Sequence, residues 1–600
     1  MKCFRPALVL AACLGCLLSV SGADSTSTGT NAPAWDTFSD TWVATDGLGR
    51  SLPDAEVAGP PRGNRFVGIF YFLWLEGQNP IYDLAKLLAA NPGNPAYGPK
   101  HAFHFWGEPL FGYYRSDDPW VIRKHAQMLA DAGIDVVVFD VTNALTYDSN
   151  VLAVCKVFSE MRRQGLRTPQ ISFLAHSSQD RVVAHLSNNF YGKNLHPDLW
   201  FSWKGKPLMM ASPEGLNAAT TDFFTFRESW AWTDHKGWFG DGRDKWPWLD
   251  HSPQNFGWHE DRQKPEQISV TTAQHPTSNI GRSHLKKVQP PLEKTAPEQG
   301  VYFSEQWTRA LEVGPEFTFV TGWNEWIAQR FLNEGGTQML GRKLAPGETF
   351  FVDQYSQEFS RDIEPMKGGH GDAYYYQLTG YVRRLKGVRP QPGLISKPIT
   401  VDGRFDDWRN VAPEFRDTIG DVAHRNHPGW QGEKPFIDTT GRNDLVAAKG
   451  SFDATNTYFY ARTREALTPA SDPNWMLLFM DTDQNPKTGW LGYDYVLNRT
   501  KATEPGVAIL ECHTGTGCQW STPVKVACRF AGNEIEVAVP RHLLRNFDPQ
   551  RGLDFKWSDN IELNGDASDF TLHGDSAPND RFNYRARQAE PAPKPHQQPK

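Results

Sequence analysis

Cysteine is scarce: seven in 600 residues, three of them (Cys3, Cys13, Cys16) near the start. No Cys-x-x-Cys or other zinc spacing joins Cys155, Cys512, Cys518 and Cys528, which excludes a zinc ribbon and a dithiol redox centre. A disulfide between Cys512 and Cys518 stays open, since it would close a small Gly-Thr-Gly loop in an oxidising compartment. No Gly-x-Gly-x-x-Gly follows a strand, so the usual dinucleotide site is missing. A Gly-x-Ser-x-Gly elbow is also absent, which argues against a serine esterase. Positive charge is in deficit, with 62 Lys and Arg against 69 Asp and Glu and a net charge of −7. Such a surface does not suit a nucleic-acid partner. Beyond the first 20 residues no apolar run is long enough to span a membrane.

What is present begins with an export signal. Lys2 and Arg5 precede the apolar run Ala7–Val20, and Ser21-Gly22-Ala23 supplies small residues for cleavage. Leu10-Ala11-Ala12-Cys13 also resembles a bacterial lipobox, which would make Cys13 a lipid anchor. The expectation is therefore an exported protein, extracellular or periplasmic, free or anchored to an outer surface. Residues 1–23 form the signal, and 24–60 a flexible lead-in rich in Ser, Thr, Gly and Pro.

From 61 to 390 strands and helices alternate. Strands are expected at Phe66–Trp74, Ile134–Asp140, Gln170–Ala175, Pro207–Ala211, Asp222–Arg227, Gln267–Thr272 and Glu316–Gly322, with a weaker eighth at Phe350–Val352. Asp118-Pro119 opens a helix to Ala132, with a capping carboxylate and a proline suited to the first turn. Nearly continuous apolar strands are buried on both faces, as in a parallel sheet. The expected fold is a (β/α)8 barrel of the TIM type, with a doubly wound sheet as the alternative. After Pro390, Pro392 and Gly393 the texture changes to short alternating strands with Gly, Asp and Asn turns, predicting an all-β sandwich over 395–587. Residues 588–600 form a Pro-rich tail expected to be disordered.

In a barrel the functional groups sit at the C-terminal ends of the strands. Those ends carry Trp74, Asp140, Asn143, His176, Glu228, His275 and the cluster Trp323-Asn324-Glu325-Trp326. Cleaving a glycosidic bond takes one group to protonate the leaving oxygen and another as base or nucleophile. Glu325, at the end of an apolar strand between two Trp, suits a raised pKa. Asp140 and Glu228 are the candidate partners. Of 22 Trp, six (230, 232, 238, 246, 248 and 258) fall in one polar, Gly-rich loop, which reads as a platform for flat sugar rings. Trp232 and Trp238 stand for that platform; Asp372, in a Gly-rich segment before a helix, is a further candidate contact. No catalytic cofactor is called for.

Val320-Thr-Gly-Trp-Asn-Glu-Trp326 resembles the Trp-Asn-Glu-Trp strand end of glycoside hydrolase family 99 and the related family 71-like proteins. Phe70–Trp74, Ala132–Asp140 and Lys206–Met210 extend the resemblance over roughly 65–385. It implies a (β/α)8 barrel acting on a polysaccharide or glycan. In family 99 the motif continues His-Glu, and its two Glu residues form the catalytic pair. Here Ile327 and Ala328 stand there instead, so neither that mechanism nor mannose specificity carries over. Ile399–Trp408 is similar to the opening of family 9-like carbohydrate-binding modules. Asp481-Thr-Asp483-Gln-Asn485 offers alternate oxygen ligands, so Asp481, Asp483 and Asn485 are candidate ligands for structural Ca²⁺. Two readings follow. One is a secreted glycoside hydrolase; the other is a non-catalytic glycan-binding protein on a degenerate barrel.

Overall fold

The computed structural model describes residues 34–589, apart from Lys236 and Ser396. The expected signal over 1–23, with Cys13, and the tail from residue 590 lie outside the described residues.

Seven parallel strands organise the first half. They are β1 (Phe66–Tyr71), β2 (Val136–Val141), β3 (Gln170–Ala175), β4 (Lys206–Met210), β5 (Thr225–Phe226), β6 (Gln267–Thr271) and β7 (Phe317–Thr321). Their spatial order is β5–β4–β3–β2–β1–β7–β6. This is the circular order of an α/β barrel, but the sheet is an open curl, which corrects the expectation of a closed (β/α)8 barrel. The opening lies between β5 and β6. There the chain over 228–258 adds no parallel strand: it contributes isolated bridges such as Glu228 with Lys245 and Ala231 with Leu249, and a two-residue strand, Phe256–Gly257, antiparallel to β6. The expected eighth strand is also corrected. Thr349–Phe350 pairs antiparallel with Phe331–Leu332, outside the main sheet.

The two-residue period of the strands sorts their side chains. Phe70, Phe72, Val136, Val138, Leu174, Leu208, Met210, Phe317 and Phe319 point to the concave side and form one core. The alternate positions, among them Ile69, Tyr71, Val137 and Phe139, pack with the helices. Those helices include α1 (Pro119–Asp131), α2 (Asp148–Arg163), α3 (Gln179–Leu186), α4 (Val301–Val313) and α5 (Ala373–Lys386). Asp118 caps α1, accepting from the backbone of Trp120 at 3.0 Å, and Pro119 fills the first turn as expected.

The C-terminal half is built on an antiparallel sheet of 11 strands that folds nearly closed on itself, with a separate two-stranded pair, Arg425–His427 and Phe436–Asp438. Its long strands include Leu445–Phe452, Asn456–Thr463, Val507–His513, Trp520–Ala531, Glu534–Pro540 and Leu553–Asp559. The two halves share buried surface. Trp430 packs on Phe105 and donates to the Asn79 carbonyl at 2.6 Å, and Arg425 pairs with the buried Asp118 at 2.8 Å. Residues 34–60, part of the expected flexible lead-in, are instead packed. Trp42 is buried against Phe582 and Tyr584, and Val43 bridges to Asn583, because an exposed indole there would leave apolar surface on both halves uncovered. Cys512 and Cys518 are free thiols, which corrects the proposed disulfide; Cys512 contacts the Thr522 hydroxyl instead.

Candidate functional site

The alternation that builds the inner core also delivers the site. Continuing β1 inward past Phe70 and Phe72 brings Trp74, which stacks on Phe72 with ring centroids 5.8 Å apart. On β2 the inward series Val136, Val138 ends in Asp140, 8% exposed, its carboxylate capped by the Thr142 N–H at 2.9 Å. Beyond β7, Asn324 clamps the end of β1 by accepting from the Phe72 N–H (2.9 Å) and donating to the Phe72 carbonyl (3.1 Å). Glu325 follows, 2% exposed, with its own N–H held by Asp362 Oδ1 at 2.6 Å.

The chain leaves at Ile327 and returns over 354–364, alongside Gly322 and Trp323. That return puts Gln354 Nε2 2.7 Å from Glu325 Oε2 and the Arg361 guanidinium on the same oxygen. Arg361 also reaches the Asp353 carboxylate at 3.7 Å. Asp353 is the open member of the group, its side chain 43% exposed. Burial pushes the Glu325 carboxyl well above the usual range, against the pull of Arg361, and the charges of Asp353, Asp362 and Asp140 push the same way. Burial likewise raises Asp140 to about 6. Both acids thus feel one buried guanidinium, Arg361, and Glu325 also feels the charge of Asp140.

Aromatic rings wall this floor. Trp248 lies 5.7 Å from the Arg361 guanidinium and 5.6 Å from the Phe70 ring, and meets Trp230 edge-on. His176, exposed at the rim after β3, stacks on Trp230 at 3.5 Å. Trp232 donates to Gln274 and abuts His275, whose imidazole is kept neutral by burial and by Arg361. Among the described residues, Trp74 Nε1, Trp248 Nε1 and His275 Nε2 are buried polar atoms without a hydrogen-bond partner.

Asp140, Glu325, Trp74, His176, Trp232 and His275 therefore belong to one end of the curl. Asn143 lies on the exposed turn after β2, bonded to Tyr147. Other expectations need correction. Glu228 pairs with Lys245 at the open edge, where the bridge between their backbones holds the two side chains together. Trp323 is fully buried on the helix side against His125, and Trp326 stacks on Trp106 while donating to Glu364 at 2.6 Å. The strand ends at Thr321, and beyond it the two-residue alternation no longer holds, so both rings pack in the helix-side core instead of facing the site. Asn324 spends its amide on β1, as above. Trp238 donates to the Trp232 carbonyl and packs on Phe239 inside its own loop. Asp372, at the start of α5, is paired with Arg581 of the C-terminal half at 2.6 Å. Sequence reasoning missed Asp353, Gln354 and Arg361 because they return to Glu325 only after a loop of nearly thirty residues.

In the C-terminal half the carboxylates of Asp481, Asp483 and Asp494 converge, with one oxygen of each within 4.8 Å of the others. Asp494 takes the place expected for Asn485, whose side chain accepts from the Lys487 N–H in a turn. The charges of Asp554 and Asp494 add to burial in raising Asp481 to about 8. This all-oxygen set suits Ca²⁺. Trp475 and Trp520 are buried in the sheet, so neither offers a face for sugar stacking.

No family model and no curated protein matches the chain. Among solved structures, the family 99 endo-α-mannosidase of Bacteroides thetaiotaomicron in complex with bis-tris-propane shares 16% identity, covering 53% of this chain and 97% of its own, at a TM-score of 0.32. Another structure of that enzyme gives 17%, 54%, 98% and 0.32. A glycoside hydrolase-like protein gives 12%, 57%, 98% and 0.31. Superpositions this loose assign no chemistry to the chain. No helix among the described residues is long and apolar enough to cross a membrane.

Proposed function

We propose that the chain is an exported glycoside hydrolase that cleaves glycosidic bonds in a polysaccharide or complex glycan, with Glu325 as proton donor and Asp140 as base or nucleophile. The observation that carries this is two buried carboxyls at the strand ends, Glu325 feeling the charge of Asp140 and both feeling that of Arg361, beneath a wall of Trp side chains. A raised pKa favours the protonated Glu325 that donation to the leaving oxygen requires, while Asp140, raised to about 6, is ionised at neutral pH. The buried N–H groups of Trp74 and Trp248 are donors that sugar hydroxyls would satisfy. Asp353 and Arg361 stand over Glu325, so substrate entry requires Arg361 to shift.

One observation favours the second reading, a glycan-binding protein without catalysis: Glu325 is buried and its Oε2 is taken by both Arg361 and Gln354. Reducing-end release from a polysaccharide panel, run on wild type beside Glu325→Gln and Asp140→Asn, separates the two. Products from wild type alone support the hydrolase. Retention of glycans on an affinity gel without any products would leave the binder.

A further inference from the structure

A second group of acids lies where the two halves meet. Asp417 and Asp421 sit in the segment after the short strand Phe415–Arg416, and Asp575 opens the strand Asp575–Ala577. One carboxylate oxygen of each lies within 4.8 Å of the others, and all three residues are buried. Two oxygens bound to one Ca²⁺ at about 2.4 Å can be at most about 4.8 Å apart, so a single ion can bridge the set.

Their hydrogen bonding is unequal. Asp575 is held by the Leu445 N–H at 2.6 Å and the Ser576 N–H at 2.7 Å. Asp421 Oδ2 accepts from Gln127 of α1 at 2.8 Å, but its Oδ1 has no partner. Asp417 is 0% exposed and neither of its oxygens has a hydrogen-bond partner. Buried carboxylates are almost always bonded, and a bare one beside two others is the arrangement that a cation completes. Among the described residues no Lys, Arg or His forms an ion pair with any of the three. The nearby Lys556 ammonium donates to the Pro578 carbonyl instead.

The geometry points to a binding site for one Ca²⁺ ion formed by Asp417, Asp421 and Asp575, which fastens the C-terminal half to helix α1. Hard oxygen donors from an irregular loop and a strand suit Ca²⁺, which tolerates uneven geometry; Mg²⁺ demands a near-octahedral shell and keeps several waters. The neighbours give the ion its structural reach. Gln127 joins α1 to Asp421, while Asn579 donates to Asp131 of α1 at 2.7 Å and to Thr418 at 2.8 Å.

The test uses the full chain carrying Asp481→Asn and Asp483→Asn, which removes the other carboxylate cluster. Calcium content is measured by atomic emission after EGTA treatment, dialysis against CaCl2 and desalting, and melting is followed with CaCl2 or MgCl2. The expected result is one Ca²⁺ per chain and a higher Tm in Ca²⁺ than in Mg²⁺. Adding Asp417→Asn should abolish both while leaving the far-UV circular dichroism unchanged. If the background variant does not fold, Asp417→Asn in the wild-type chain should lower the calcium content by one ion. Unchanged calcium in the Asp417→Asn chain, or no bound calcium in the background, would overturn the site. An equal Tm rise in MgCl2 would overturn the choice of ion.

Discussion

At the residue scale the chemistry rests on Glu325 and Asp140. Glu325→Gln keeps the size of the side chain and its contact with Gln354 but cannot donate a proton, so kcat should fall by at least about a hundredfold. The pH profile gives a sharper check. Asp140 must lose its proton to act, so activity should fall as pH drops through about 6, and Asp140→Asn should remove that acid limb from any residual rate. Removing the Asp140 charge also removes one of the causes that raise Glu325. The alkaline limb should therefore move to lower pH in Asp140→Asn, a shift that no loss of folding would imitate. Trp248→Ala should raise KM far more than it lowers kcat, as measured on an oligosaccharide series, because the ring forms a wall and exchanges no proton. Two acids, the Trp-rich loop and His176 were legible in the sequence as strand-end residues. Arg361 was not, since nothing local ties residue 361 to residue 325.

At the scale of elements, the start of α1 links local propensity to tertiary contact. Asp118 caps the helix with one oxygen and receives Arg425 from the C-terminal half on the other, while fully buried. Asp118→Ala strips the cap and leaves Arg425 buried without its partner, and should cost about 3–5 kcal/mol in a denaturant titration. The capping role could be read from Asp118-Pro119; the ion pair with Arg425 required the fold. The strands teach the same lesson. Val136–Val141 and Phe317–Thr321 could be placed from their apolar runs, yet a run apolar on both faces does not say which face is concave. Trp323 and Trp326 were misjudged because the alternation stops with the strand at Thr321, and only the fold shows where the chain beyond it turns. The missing closure between β5 and β6 has a local cause that was visible, the polar chain over 228–258, but its bridges depend on partners brought by folding.

For the whole molecule, the shared interface decides how the chain behaves. Trp42 from the N-terminal segment, Tyr375 and Tyr376 from α5, and Phe582 just before the last strand pack together. A chain ending near residue 392 would expose these rings and leave Asp118 without Arg425. It should aggregate or melt well below the full protein in scanning calorimetry, and the intact chain should unfold in one transition, since neither half keeps a complete core alone.

The sequence by itself determined the order of strands and helices, the change to an all-β texture near residue 395, and the strand ends where acids and Trp side chains gather. These follow from short-range physics: two-residue alternation, capping, and turn residues. Only the tertiary structure decided which of those side chains meet. It turned Trp323 and Trp326 into core, set Glu228 against Lys245, brought Arg361 back to Glu325, and gathered Asp417, Asp421 and Asp575 from segments more than 150 residues apart. Contacts of that separation depend on how whole layers pack, and no local pattern encodes them.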